Sequence, residues 1–175
     1  MSNYRITKYN PQFRDIDGSF TKNEWTSISD IGKNFDNKKL TVNEYFKVEN
    51  SYIQAIIFIM KTLKQSSLYV TNLEKYELSI DQNIEYPPYM IETYHAIYEG
   101  KQANIDEIIT IARLILRETL WCKLSNKNVF IHFGFDYYMY LGSISKISDK
   151  IIKDIEKLGL FVENFESPYN ENIDN

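Results

Sequence analysis

Few residues in this chain could do chemistry. His132 with Asp136 or Glu118 would make an acid–base pair, and Cys122 with a histidine would make a thiol nucleophile and its base. A small hydrolase or nuclease would use His132 with such carboxylates. Spacing alone does not bring these groups together: Asp136 reads as a turn residue. Cys122, beside Trp121 and between a helix and a strand, reads as a small buried side chain. Two histidines and one cysteine, with no H-x-x-x-H or C-x-x-C pair, do not make a transition-metal site. There is no G-x-G-x-x-G and no P-loop. The expectation is a protein without cofactor, metal or catalytic residues.

The densest feature is Phe130–Leu141, a β-hairpin crowded with aromatics around Gly134. A loop of Gly134, Phe135 and Asp136 would pair Phe133 with Tyr137, Ile131 with Met139 and Val129 with Leu141. That register puts Val129, Ile131, Phe133, Tyr137, Met139 and Leu141 on one apolar face, and a slip by one residue would scramble it. Asp136 suits the left-handed position such a loop needs. The other face carries Phe130, His132, Tyr138 and Tyr140. It is either a binding patch, since tyrosine is amphipathic and favoured at interfaces, or a second covered face in which His132 is a hydrogen-bonded core histidine. Exposure decides between them.

The elements that must position this hairpin follow from periodicity. Tyr4–Lys8 alternates like a strand, and Asp17-Gly18 signals a tight turn. The run after it, Glu24–Ile28, is a second strand or an ordered loop. Thr41 and Glu44 form a capping box ahead of Tyr45, Val48, Tyr52, Ile56, Ile59 and Leu63, a helix that is apolar all round at Ala55–Met60 and so central. Leu68–Val70 reads as a strand, and Pro87-Pro88 interrupts regular structure. A short helix over Ile91, Tyr94, Ile97 and Tyr98 ends at Gly100. Asn104 with Glu107 caps the next, whose stripe runs from Ile105 to Thr119. Trp121–Leu124 and the hairpin supply strands. Ser145 or Ser148 caps a last helix through Ile144, Ile147, Ile151, Ile155 and Leu158, with Gly159 just past its end. Leu160–Phe165 is a final strand. The pattern predicts an α+β fold, a mainly antiparallel sheet with three or four helices packed against it, as a single domain over residues 1–175 with 166–175 as a frayed polar tail.

Composition narrows the partners. The chain has 175 residues, 43% hydrophobic and 25% charged, with net charge −4 and pI about 5.3. That disfavours direct nucleic-acid binding, which needs clustered lysine and arginine, and mildly favours a basic protein partner. The longest apolar run, Ala55–Met60, is far below the roughly 20 residues a membrane span requires. One cysteine and no apolar leader at Met1–Arg5 point to the cytoplasm. Lys, Asn, Ile, Tyr and Phe are abundant, as A/T-rich codons would make them.

Trp25 and Asp30, in the stretch Glu24–Gly32, are either a recognition loop or a tryptophan anchor with an aspartate bonded to local backbone. Glu163, Glu166, Glu171 and Asp174 either face a basic partner or belong to a solvated tail.

Two blocks resemble small bacterial immunity proteins from contact-dependent growth inhibition and related polymorphic-toxin systems. One is Tyr4–Pro11 with Arg14-Asp15, Gly18 and Glu24–Gly32. The other is Leu116–Cys122 with His132–Tyr140. Together they cover under a third of the chain. The resemblance implies a cytoplasmic protein that binds one cognate toxin domain and blocks its active site or substrate channel, with no residue roles carried over. Acids on such an inhibitor would complement a basic cleft.

Overall fold

Two of the helices begin where a side chain closes the free amides at their start. The computed structural model describes residues 1–78 and 84–169. Within them α1 (Val42–Thr62) opens on the Thr41–Glu44 capping box and α3 (Ile105–Leu116) on the Asn104–Glu107 box, both reciprocal as expected. Between them α2 (Pro88–Ala96) starts at a proline, and α4 (Asp149–Glu156) follows Ser148 and ends before Gly159 at φ +83°. Ile144, expected on the buried stripe of α4, lies ahead of the helix and is exposed.

Seven strands make one sheet: β1 (Ser2–Thr7), β4 (Ser67–Lys75), β5 (Gln102–Asn104), β6 (Leu120–Ser125), β7 (Val129–Phe133), β8 (Tyr138–Ser143) and β9 (Phe161–Asn164). Its order is β5-β4-β6-β7-β8-β1-β9, and every pairing is antiparallel. A small ribbon of β2 (Asn34–Phe35) and β3 (Lys38–Lys39) stands apart. The α+β expectation holds. The helices share one core with one face of the sheet, where Tyr4, Ile6, Leu68, Val70, Cys122, Leu124, Ile131, Phe133, Met139 and Leu141 are buried. The segment Glu24–Asp30 is an ordered loop closed by a short 3₁₀ turn at Ile28–Asp30.

The hairpin register differs from the expected one by two residues. Phe133 pairs with Met139, Ile131 with Leu141 and Val129 with Ser143. The loop is longer because Tyr137 as well as Asp136 turns left-handed, at φ 63° and 61°. A shift of two preserves which side chains share a face, so the division into two faces survives. Tyr137 leaves the ladder and is buried against Trp25, Tyr45 and Tyr52, with its hydroxyl on the Leu116 carbonyl at 3.1 Å and its own carbonyl taking the Tyr52 hydroxyl.

Candidate functional site

The second hairpin face is not an open patch. Phe130, His132 and Tyr140 are buried at 7%, 5% and 7% exposure, and Tyr138 is half-buried. The cover is the segment after β9. Phe165 and Tyr169 pack on Tyr140 at 6.0 Å, and the buried Ser167 hydroxyl lies 3.2 Å from His132 Nδ1. The Phe130 ring stacks on His132 at 4.3 Å and lies over Gly142, its cross-strand partner, where a Cβ would collide with it. So the part of the tail at 166–169 is docked rather than frayed; 170–175, with Glu171 and Asp174, lie outside the described residues. At the edge of this face Glu163 accepts paired bonds from Arg5 (3.0 and 3.0 Å) and from Arg14 (3.1 and 3.2 Å), and Arg14 also donates to the Tyr138 hydroxyl at 3.2 Å. Glu163 is therefore part of the fold and not of a solvated tail.

Trp25 and Asp30 are likewise taken up internally. Trp25 packs edge-on to Tyr137 at 4.9 Å and against Tyr45 at 5.7 Å. Asp30 accepts from the Thr26 and Ser27 amides at 2.9 and 3.2 Å and from Lys33 at 2.8 Å. Lys8 closes this corner, its ammonium 4.1 Å from the centres of both the Tyr9 and Trp25 rings and 3.2 Å from Glu24. Burial pushes the Lys8 pKa down to about 8, against the pull of Glu24.

What remains open is the tip of the hairpin. There a cavity of about 340 Å³ gathers Trp121, Phe133, Tyr137 and Tyr169 as walls and Glu74, Glu118 and Asp136 as acids, with Thr26, Ser27 and Tyr76 adding hydroxyls. Its size lies within the roughly 300–1,000 Å³ range of ligand pockets. No lysine or arginine lines it, and among the described residues Glu118 and Asp136 enter no ion pair. Phe135, at the tip, is 83% exposed. Trp121 is held by its indole N–H on the Phe133 carbonyl at 2.8 Å, and its ring sits 5.5 Å from Tyr169. Tyr169 lies over Gly134, where a Cβ would meet its ring at 3.4 Å and the Tyr140 ring at 2.9 Å. A larger residue at 134 would push this wall out.

Three of the seven left-handed non-glycine residues among those described lie on the same rim. Asp136, Tyr137 and Glu118 all have left-handed φ, at 61°, 63° and 56°, a conformation that aspartate tolerates and that is costly for tyrosine and glutamate. Glu118 occupies the position just past α3 that glycine usually fills: its amide bonds Ile115 O at 2.9 Å and the next, Thr119, bonds Leu114 O at 3.0 Å. An acid there also meets the negative end of the helix dipole. Such outliers, held by their surroundings, are a pointer to function. Sequence reasoning named Glu118 and Asp136 as partners for His132, and Asp136 also as a turn residue. The structure brings the two acids to one cavity, and His132 is not among the residues that line it. Cys122 is fully buried, and burial pushes its thiol up to about 12. Among the described residues no group of three or more His, Cys, Asp or Glu side chains is placed to hold a metal ion, and no helix is long and apolar enough to cross a membrane.

No protein-family model, curated protein or solved structure matches the chain.

Proposed function

We propose that this chain is a non-enzymatic binding protein of the immunity type, which neutralises a cognate bacterial toxin domain in the cytoplasm by docking the hairpin tip over its active site. The observation that carries this reading is the pairing of an exposed anchor, Phe135, with an aromatic cavity rimmed by three carboxylates and lined by no cation. Exposed aromatics at the centre of an interface supply much of its affinity. Unneutralised carboxylates steer and orient a basic partner, such as the substrate cleft of a nuclease. The two blocks that resemble immunity proteins also converge here: Thr26 and Ser27 come from the first, and Leu116, Glu118, Trp121 and residues 133–137 from the second.

Co-expression with the toxin domain encoded beside it is the test. The intact chain is expected to restore growth and to co-purify with the toxin. Phe135→Asp should abolish both with an unchanged melting temperature, because its side chain is in solvent. Failure of the intact chain to rescue or to form a complex would remove the immunity reading. Rescue by Phe135→Asp would move the interface away from the tip.

A further inference from the structure

We infer that the hairpin-tip cavity is a receptor for a guanidinium group, the side chain of an arginine on the surface of a protein partner. This rests on the reading above that the tip is a docking surface. The argument comes from how the molecule holds its own arginines. Arg5 stacks 4.0 Å over Phe165 while two of its nitrogens bond Glu163 at 3.0 Å each. Arg117 lies 4.9 Å from Phe46 and 5.3 Å from Tyr86 while bonding Glu49 at 2.7 and 3.0 Å. Each guanidinium thus has an aromatic ring beside it and a carboxylate bonded to two of its nitrogens, partners that its flat, multiply donating fork favours.

The cavity assembles the same parts from separate segments. Trp121 and Tyr169 present rings 5.5 Å apart and inclined at 55°, and Glu74, Glu118 and Asp136 stand around them. Three carboxylates brought in by three separate segments, one of them already taking the Tyr76 hydroxyl at 2.7 Å, suit a fork with five N–H donors better than a compact ammonium. Lys8 shows the contrast within this protein. Enclosed between two rings with one carboxylate, its ammonium has its pKa drawn down to about 8, whereas a guanidinium stays charged on burial. Glu118 and Asp136 both stand on left-handed backbone.

The test uses the full chain and three blocked tripeptides, acetyl-Gly-Xaa-Gly-amide, in which Xaa is arginine, lysine or citrulline, the neutral isostere of arginine. Binding is read from amide chemical shifts. The arginine peptide should give saturable shifts confined to Trp121, Tyr169, Glu118 and residues 133–136. Lysine and citrulline should bind about tenfold more weakly, because lysine lacks the bidentate fork and citrulline the charge, as should arginine to a Glu118→Gln, Asp136→Asn double variant whose melting temperature is not lowered. No saturable shift, equal binding of citrulline or lysine, or undiminished binding to the double variant would each overturn the inference. If the chain neutralises its toxin and the arginine peptide fails to bind, the guanidinium receptor falls alone. If the peptide binds at the cavity and no toxin is neutralised, the immunity reading falls and the receptor stands.

Discussion

Glu49 and Glu163 each lie between two guanidiniums, whereas Glu118 and Asp136 lie beside none. The chain has four arginines, Arg5, Arg14, Arg113 and Arg117, and all of them go to the first pair of acids. Glu49 is wholly buried on α1 and is gripped by Arg113 of α3 and by Arg117 just past its end, so it locks one helix to the other. Glu163 is 17% exposed on β9 and gathers β1 and the loop at Arg14. These acids are matched because burial would otherwise leave them uncompensated. The acids at the hairpin tip tie no elements together, and Glu118 sits on unfavourable backbone. The difference separates carboxylates that hold the fold from carboxylates that the fold holds out.

The sharpest break in that contrast is Glu49→Ala. It leaves two guanidiniums facing each other with Arg117 nearly buried, and the expected loss is roughly 3–5 kcal/mol, read from the urea midpoint. A loss below about 1 kcal/mol would show that this acid no more holds the fold than those at the tip.

Glu163→Ala should lose less, about 1–2 kcal/mol, because water reaches part of this cluster. It also has a pH signature. Burial raises the Glu163 pKa, but the bonds from Arg5 and Arg14 outweigh it, so the net shift is below the ordinary 4.5. A carboxylate whose folded pKa is depressed contributes stability above its unfolded value, and loses it as pH falls through the folded value. Stability of the intact chain should therefore drop below about pH 4.5 more steeply than that of Glu163→Ala in urea melts across the acid range. Parallel curves would mean that the two arginines do not bias Glu163.

Much of the frame was legible because its signals are local. Thr41 with Glu44 and Asn104 with Glu107 mark helix starts within four residues of sequence. The two faces of the hairpin followed from alternation, and they survived a register error because the error was even. The loop length was not legible, since nothing local tells a tyrosine at 137 to turn left-handed; its burial against Trp25, Tyr45 and Tyr52 does that. Ser167 and Tyr169 sit in a polar stretch that reads as solvent, and only contact with the distant His132, Tyr140 and Trp121 docks them. The cavity draws on segments scattered from Thr26 to Tyr169, so no short pattern could announce it. The end of α3 was misplaced too: the stripe reads through to Thr119, whereas the helix stops at Leu116 and puts a glutamate where a glycine would end it without strain.

That glutamate gives the smallest prediction, opposite in sign to the others. Glu118→Gly removes a left-handed side chain, worth about 1–2 kcal/mol, and an acid from the negative end of a helix, worth about 0.3–1 kcal/mol. Against these stands glycine's extra freedom in the unfolded chain, about 0.5–1 kcal/mol. The balance favours the variant by about 1 kcal/mol, a rise of roughly 2–4 °C in melting temperature for a chain of this size. The end of α1 is the internal control. Lys64 holds the equivalent position at φ 52°, with Lys64 bonding Lys61 O at 3.2 Å and Gln65 bonding Met60 O at 2.9 Å. Its positive charge suits the helix dipole that Glu118 opposes. Lys64→Gly should therefore gain less than Glu118→Gly, and only the second should weaken partner binding. Stabilisation coupled to lost binding is the mark of a residue kept for what it meets outside the fold. If Glu118→Gly instead lowers the melting temperature, Glu118 holds structure as Glu49 does, and the distinction between matched and unmatched acids fails at the residue where it is most exposed to test.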